Sequence, residues 1–351
     1  MHLEHATPAL ADRGIAASDA GLRYVSDEEI AGISRRKYGK GFAYFAPNGA
    51  LITNKSTLAR IRALAIPPAW RSVWISPFAD AHVAATGRDL RGRKQYRYNA
   101  EFVLVRDTAK YEHLLAFAEA LSHIRETVAG HMALHGMPRE KVLATIVHLL
   151  EATLIRIGNE DYARDNGSFG LTTLRNRHVR VNGSELRFLF QGKSGKTWRV
   201  TVNNRRVAKV IRVCHDLPGQ HLFQYLDEGG EAQKITSGDV NDYLRQITGR
   251  DITAKDFRTW AGTVEVAAAL NALKCDGARS LKKNIRAALE RAAHRLGNTA
   301  TICRKCYVHP AILSTYENGE FDLKIPEKSL EKATGLTTME QAVLSFLRER
   351  L

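Results

Sequence analysis

The chain has 351 residues, 44% of them hydrophobic and 25% charged, an ordinary globular composition long enough for one large domain or two, with two expected. Its 52 Lys and Arg against 37 Asp and Glu leave a formal net charge of +15, which points to a polyanionic partner, nucleic acid before an anionic membrane surface. No run of about 18 apolar residues is present to cross a membrane, the opening segment MHLEHATPALADRG carries acids and no apolar run, unlike a secretory signal, and four cysteines are too few for a disulfide framework.

Taken in chain order, the first part reads as short strands bounded by Gly, Pro or Asn: Gly21–Ser26, Phe42–Ala46, Val73–Pro77, His82–Thr86 and Lys94–Asn99. A helix over Ser56–Leu64 interrupts them and stops before Pro67 and Pro68. From Lys110 the hydrophobic period changes, and helices are expected over Tyr111–His135 and Arg139–Ile157, with Val142, Ile146, Leu149 and Leu150 on one stripe of the second. An irregular polar stretch follows Gly158. Three strands come next, His178–Val181, Glu185–Gln191 and Thr197–Val202, joined by turns at Asn182-Gly183 and Gly192-Lys193-Ser194-Gly195. Helices resume over Val207–Asp216, Ser237–Thr248, Lys255–Leu273 and Leu281–Leu296, with shorter helical patterns at Ala311–Tyr316 and Met339–Leu347. The expected fold class is α+β: an N-terminal antiparallel β-sheet domain over residues 1–105, then a mainly α-helical domain over residues 106–351 containing a small three-stranded sheet.

Charge is concentrated at Arg88–Arg97, RDLRGRKQYR, where basic residues interleave with Tyr96 and, just beyond, Tyr98. Such a strand suits a nucleic-acid backbone with stacking or base-edge contacts, although charge also serves to blunt a solvated edge strand. The cysteines offer a CxxC at Cys303 and Cys306, with Cys214 and Cys275 standing alone. With no second pair to complete a zinc site, they read as reduced thiols of a cytoplasmic protein.

The run Gly92-Arg93-Lys94-Gln95-Tyr96-Arg97-Tyr98 closely resembles a segment of the small bacterial and poxvirus type IB DNA topoisomerases, and four further segments resemble the same family in the same order. These are Leu154–Asn159 (LIRIGN), Phe190–Lys193 (FQGK) at a hairpin, Lys255–Trp260 (KDFRTW) at a helix start, and Leu296–Thr299 followed by Cys303–Tyr307. The resemblance covers roughly residues 20 to 315. It implies an N-terminal DNA-clamping domain in which Gln95 and Tyr96 face the major groove and Arg93 and Lys94 lie near phosphates. It also implies a catalytic domain in which Arg156 and Arg258 hold the scissile phosphate, Lys193 is a general acid, Lys255 adds positive charge near the leaving oxygen, and Tyr307 is the nucleophile. Tyr162 matches a tyrosine that contacts the DNA backbone. Many relatives place His where this chain has Asn298; an amide there can donate to a phosphate oxygen but can neither carry a charge nor move a proton.

The chemistry is consistent with those groups. Attack on a phosphodiester adds negative charge to its oxygens, and planar guanidinium forks can offset it. A phenol, with pKa near about 10, is an acceptable leaving group when the strand is resealed. There is no P-loop and no acidic cluster of metal-ligand spacing beside these motifs, so neither ATP nor a metal nor another cofactor is expected. Duplex DNA is the expected partner, with no membrane, a monomeric enzyme and a cytoplasmic, nucleoid-associated location. Two other readings share some of these features: a tyrosine recombinase, which uses the same Arg, Lys, Arg and Tyr set, and a noncatalytic DNA-binding protein, which needs the charge but not the register.

Overall fold

A computed structural model of the chain describes residues 17–18, 21–90, 92–273, 278–326 and 335–350. The chain divides after Tyr111 into two units.

In the first unit, β1 (Ile33–Tyr38) and β2 (Gly41–Phe45) form a hairpin through Gly39, whose φ of +54° favours glycine. With β3 (Arg71–Ile75), β4 (Val83–Arg88) and β5 (Lys94–Tyr98) they make an antiparallel sheet in the order β2-β1-β3-β4-β5. Helix α1 (Lys55–Ala63) starts at Asn54, whose side chain accepts from the Thr57 N–H at 3.0 Å. Its Ile61 joins Ile33, Trp70, Val73, Ile75 and Ala85 in the core of this unit. The sequence pattern missed β1 because Arg35, Arg36 and Lys37 hide its alternation. In the fold Arg35 and Arg36 lie over the Phe42 and Phe45 rings of the neighbouring strand, at 4.1 and 4.6 Å from their centroids. The expected strand at Gly21–Ser26 reduces to a single bridge between Arg23 and Ala81.

Helix α2 (Ala100–Met132) carries the chain from the first unit into the second. It starts well before Tyr111 because Asn99, read as the end of a strand, accepts the Glu101 N–H at 3.0 Å and so acts as its cap. After it come α3 (Arg139–Thr153), α4 (Glu160–Asn166) and the antiparallel sheet β6 (Val179–Asn182), β7 (Glu185–Gln191) and β8 (Thr197–Asn203). Then follow α5 (Arg205–Asp216), a small hairpin of β9 (Gln224–Leu226) and β10 (Ala232–Lys234), α6 (Ser237–Thr248), α7 (Ala254–Asn271), α8 (Ala278–Leu296), α9 (Ala300–Cys306), α10 (Pro310–Glu317) and α11 (Thr338–Arg348). The short α4, α9 and β9–β10 hairpin were not legible in the sequence. The fold is α+β, as the pattern of strands and helices implied.

Helix α7 is the centre of the second unit. It is buried around most of its girth, with Phe257, Arg258, Trp260, Thr263, Val266 and Leu270 all inside, and it packs against α3, α8, α10 and α11. A capping box starts it, the Asp256 carboxylate accepting from the Thr253 N–H at 2.8 Å and hydroxyl at 2.9 Å. The segment beyond Tyr307 belongs to the same core. Glu340 of α11 accepts from Arg125 of α2 at 2.8 and 3.0 Å and from the Trp260 indole of α7 at 3.4 Å, while Arg125 also reaches Glu151 of α3 at 2.7 Å.

Candidate active site

The site is assembled from the ends of helices. Helix α3 stops at Thr153 because Leu154 turns left-handed, with φ +56°, and its N–H closes on the Leu150 carbonyl at 2.9 Å. That conformation costs a non-glycine residue about 1–2 kcal/mol, and burial of the Leu154 side chain holds it there. Arg156 therefore lies beyond the helix rather than on it, a correction to the helix expected as far as Ile157. Its backbone is clamped by Phe169–Leu174: the Leu171 N–H donates to the Arg156 carbonyl at 2.9 Å, and the Thr172 N–H and hydroxyl donate to the Ile157 carbonyl at 2.7 and 2.9 Å. A Cβ on Gly170 would come within 2.5 Å of the Arg156 carbonyl oxygen, so the clamp needs glycine for space.

Helix α8 ends in a Schellman motif. Gly297, at φ +61°, donates to the His294 carbonyl at 3.3 Å, and the Asn298 N–H donates to the Ala293 carbonyl at 2.9 Å. This fixes the Asn298 backbone. Arg156 then donates from Nη2 to Asn298 Oδ1 at 2.6 Å. A guanidinium can only meet an acceptor, which assigns the amide oxygen to this side and turns Nδ2 the other way.

Arg258, on α7 and 3% exposed, ties the two helix ends together. Its Nη1 donates to the Leu154 carbonyl and its Nη2 to the Leu296 carbonyl at 2.7 Å. Each of these carbonyls lies two residues before a member of the site, Arg156 in one case and Asn298 in the other. Tyr307 caps the C-terminal end of α9 and presents its ring to Arg258, whose Cζ sits 5.2 Å from the ring centroid. The Tyr307 backbone rests on α7 where Gly262 leaves room; a Cβ there would fall 2.5 Å from the Tyr307 carbonyl oxygen. The next residue of α7, Thr263, accepts the His309 N–H at 3.0 Å. Arg156, Arg258, Asn298 and Tyr307 are thus joined into one cluster from residues far apart in sequence.

Electrostatics follow from burial and from the two arginines. Desolvation pushes the Arg258 guanidinium down to about 10, still charged at neutral pH. Burial pushes the Tyr307 phenol up, but the positive charges of Arg258 and Arg156 and a hydrogen bond from Arg258 more than offset it, so its pKa is lowered from the ordinary 10. Burial drives the neighbouring Cys303 thiol up to about 11, which keeps it a thiol. Two buried donors in the cluster have no partner among the described residues: Arg258 Nε and Asn298 Nδ2. Neither Arg156 nor Arg258 is paired with a carboxylate among the described residues.

The family model described as "Eukaryotic DNA topoisomerase I, catalytic core" matches residues 94–334, more than half of the chain. The chain belongs to the type IB DNA topoisomerase family. A second model, "Bacterial DNA topoisomerase IB, N-terminal domain", matches residues 41–89. Among curated relatives, DNA topoisomerase 1B of Acanthamoeba polyphaga mimivirus is 30% identical over 306 residues, covering 85% of this chain and 91% of its own. DNA topoisomerase 1B of Vaccinia virus (strain Copenhagen) is 23% identical over 240 residues, covering 67% and 73%, and DNA topoisomerase I of Monkeypox virus is 22% identical over the same length.

The other residues singled out in this topoisomerase's sequence are carried by other segments of the chain. Lys193 stands in the β7–β8 hairpin, half-buried, beside Ser194 and Gly195, which are both at positive φ. Lys255 is exposed in the first turn of α7, and among the described residues no bond joins its side chain to the cluster. Tyr162 lies on α4, and its side chain is outside the described residues. In the first unit Gln95 is 3% exposed and donates to Asp89 at 3.2 Å, so its side chain points into the β4–β5 turn. Arg93 is paired with the same Asp89 at 2.6 Å, and Lys94 with Asp27 at 2.9 Å and Glu28 at 3.2 Å. Tyr96 stacks on Tyr98, with 5.8 Å between centroids, and both pack against Val25, Ala81 and Val83.

Gly262 and Thr263 position the cluster and were not singled out from the sequence. A lone glycine inside a helical pattern, as in RTWAGTVEV, is a signal of close backbone approach that could have marked Gly262. No group of three or more His, Cys, Asp or Glu side chains is gathered as metal ligands among the described residues, and none of the helices described there is long and apolar enough to cross a membrane.

Proposed function

We propose that Tyr307 attacks a backbone phosphodiester of duplex DNA and holds the strand as a 3′-phosphotyrosine while the other end swivels about the intact strand, releasing supercoils. The observation that carries this reading is the pair of buried, unpartnered donors, Arg258 Nε and Asn298 Nδ2, in the cluster that holds the tyrosine. A phosphate oxygen accepting from both would satisfy two groups whose burial without a partner costs about 1–3 kcal/mol each. The positive charge of Arg156 and Arg258 then meets the charge that grows on the phosphate during attack.

In the forward step the bond from phosphorus to Tyr307 Oη forms as the bond to the 5′-oxygen breaks. The phenolic proton passes to water, and its release is eased by the lowered pKa. The ammonium of Lys193 gives a proton to the departing 5′-oxygen, which otherwise leaves as a poor alkoxide leaving group. Resealing runs the same steps backwards, the 5′-hydroxyl returning its proton to Lys193. Lys255 adds positive potential near that oxygen. The energy of the broken strand stays in the phosphotyrosine, so the reaction proceeds without ATP, and the arginines fill the role of a divalent metal. Arg93, Lys94, Tyr96 and Tyr98 of the first unit, with Tyr162 of the second, contact the DNA, and Gln95 reaches it only after leaving Asp89. The enzyme acts as a monomer in the cytoplasm, and sedimentation of the protein–DNA complex tests its monomeric state.

Supercoiled plasmid in EDTA and without ATP is the direct test. The native chain relaxes it and forms a covalent protein–DNA adduct on denaturant quench, and Tyr307→Phe does neither. Relaxation by Tyr307→Phe removes Tyr307 as the nucleophile.

A further inference from the structure

We propose that Trp198 is a positioning residue that seats the Lys193 hairpin against the turn carrying Asn298. The inference rests on the reading of Lys193 as general acid. Trp198 lies near the start of β8, 9% exposed, its ring parallel to Phe190 with 6.3 Å between centroids. Two glycines from different elements pack against different edges of the indole. A Cβ on Gly192 would fall 2.7 Å from Cδ1 and Nε1 of the pyrrole edge, and one on Gly297 would fall 2.5 Å from Cζ2 of the benzene edge. Gly192 immediately precedes Lys193, and Gly297 immediately precedes Asn298. One rigid ring therefore spans the residues that lead into the proposed general acid and into the phosphate-binding amide. Gly192 has ordinary extended backbone, φ −98°, so close packing on Trp198 is the reason for glycine there.

The two sides differ in how much they need the ring. The Asn298 turn is fixed without it, by the Schellman closure, by the Arg156 bond to its amide and by the Arg258 bond to the Leu296 carbonyl. Within the hairpin turn, the Gly192 N–H donates to the Lys196 carbonyl at 2.8 Å and the Gly195 N–H to the Gly192 carbonyl at 3.1 Å, and Ser194, Gly195 and Lys196 are exposed. Loss of the wedge therefore shifts the hairpin backbone that carries Lys193 and leaves Asn298 in place. A reacting group displaced by about 1 Å can lose on the order of 100-fold in rate.

The test uses the full chain and a duplex carrying its mapped cleavage site, once with the natural phosphodiester and once with sulfur replacing the 5′-bridging oxygen. Sulfur departs as a thiolate and needs no proton. Trp198→Phe, too short to span both glycines, and Gly192→Ala, which pushes the ring away, should each slow single-turnover cleavage of the natural duplex by about 10- to 100-fold. Both should regain close to the native rate on the sulfur duplex. Equal slowing on both duplexes, or no slowing on either, overturns the inference. Lys193→Ala runs alongside. If sulfur rescues Lys193→Ala but not Trp198→Phe and Gly192→Ala, only the role of Trp198 fails; if sulfur does not rescue Lys193→Ala, the general-acid reading fails and takes the inference with it.

Discussion

The two basic regions of the molecule differ in what meets their cations. Around β5 two of them are already met by carboxylates, Arg93 by Asp89 and Lys94 by Asp27 and Glu28, while Arg88 and Arg97 donate to the carbonyls of Gly92 and Ala65. In the cluster around Tyr307 the arginines are met by neutral acceptors, namely the carbonyls of Leu154 and Leu296 and the amide oxygen of Asn298. Both kinds of partner fix a side chain, but only a carboxylate cancels its charge. Unit charges about 4 Å apart interact by about 4 kcal/mol at an effective dielectric of about 20. A carboxylate beside the reacting phosphate would oppose the reaction by an amount of that order, whereas a carbonyl orients the guanidinium and leaves its charge available. Near β5 a phosphate must exchange with an acid already in place, which suits adjustable binding; at Tyr307 the positive field is present before DNA arrives.

The largest effect expected from breaking this arrangement is that of Arg258→Ala. Single-turnover cleavage should fall by about 1,000-fold or more, the upper range for loss of one such donor. Two helix-end carbonyls also lose their partner, at about 1–3 kcal/mol each, so denaturant unfolding should report lower stability. The pH profile moves as well. Burial pushes the Tyr307 pKa up and the arginines more than offset it, so removing Arg258 should shift the rising limb of the cleavage rate to higher pH. An unmoved limb separates Tyr307 from Arg258 electrostatically.

Asn298→Asp sharpens the comparison, because it installs a carboxylate where the site has an amide of the same shape. Arg156 keeps its acceptor, but a donor is lost and its charge is cancelled. Cleavage should drop by about 100-fold with little change in DNA binding. Native cleavage by Asn298→Asp would show that the neutrality of this position has no role.

The smallest effect belongs to the first unit. Burial pushes the Asp27 carboxyl up, but Lys94 and the Thr86 hydroxyl outweigh it and hold it below the ordinary carboxylate value. A partly exposed surface pair of this kind is worth about 0.2–1 kcal/mol. Asp27→Asn should therefore tighten DNA binding only about 1.5- to 5-fold at low salt, with the gain fading as salt rises. Fluorescence anisotropy across a salt series measures it. Unchanged affinity would mean that Lys94 does not engage phosphate, and the contrast between the regions would lose its functional meaning.

Legibility from sequence followed locality. Helix α7 and the three-stranded sheet were readable because their periods and their turns at Asn182-Gly183 and Gly192–Gly195 lie within a few residues. Strand β1 was not, since the arginines that hide its alternation become strand-like only when they lie on Phe42 and Phe45. The end of α3 was misjudged for a similar reason. Nothing in LIRIG announces that Leu154 turns left-handed, a conformation held in place by burial and by a bond to Arg258, 104 residues away.

By itself the sequence pointed to the groups proposed to react in this topoisomerase and their order, because Arg156, Lys193, Arg258, Asn298 and Tyr307 sit in short stretches that resemble the family. Only the tertiary structure decided what those groups are bonded to before DNA arrives. It joined the ends of α3 and α8 through one buried guanidinium, left Arg258 Nε and Asn298 Nδ2 without acceptors among the described residues, and required glycine at 170 and 262 for close packing. The physical reason is that a hydrogen-bonding side chain states its capacity in the sequence, whereas the carbonyl or the empty space that meets it belongs to backbone brought from elsewhere in the chain.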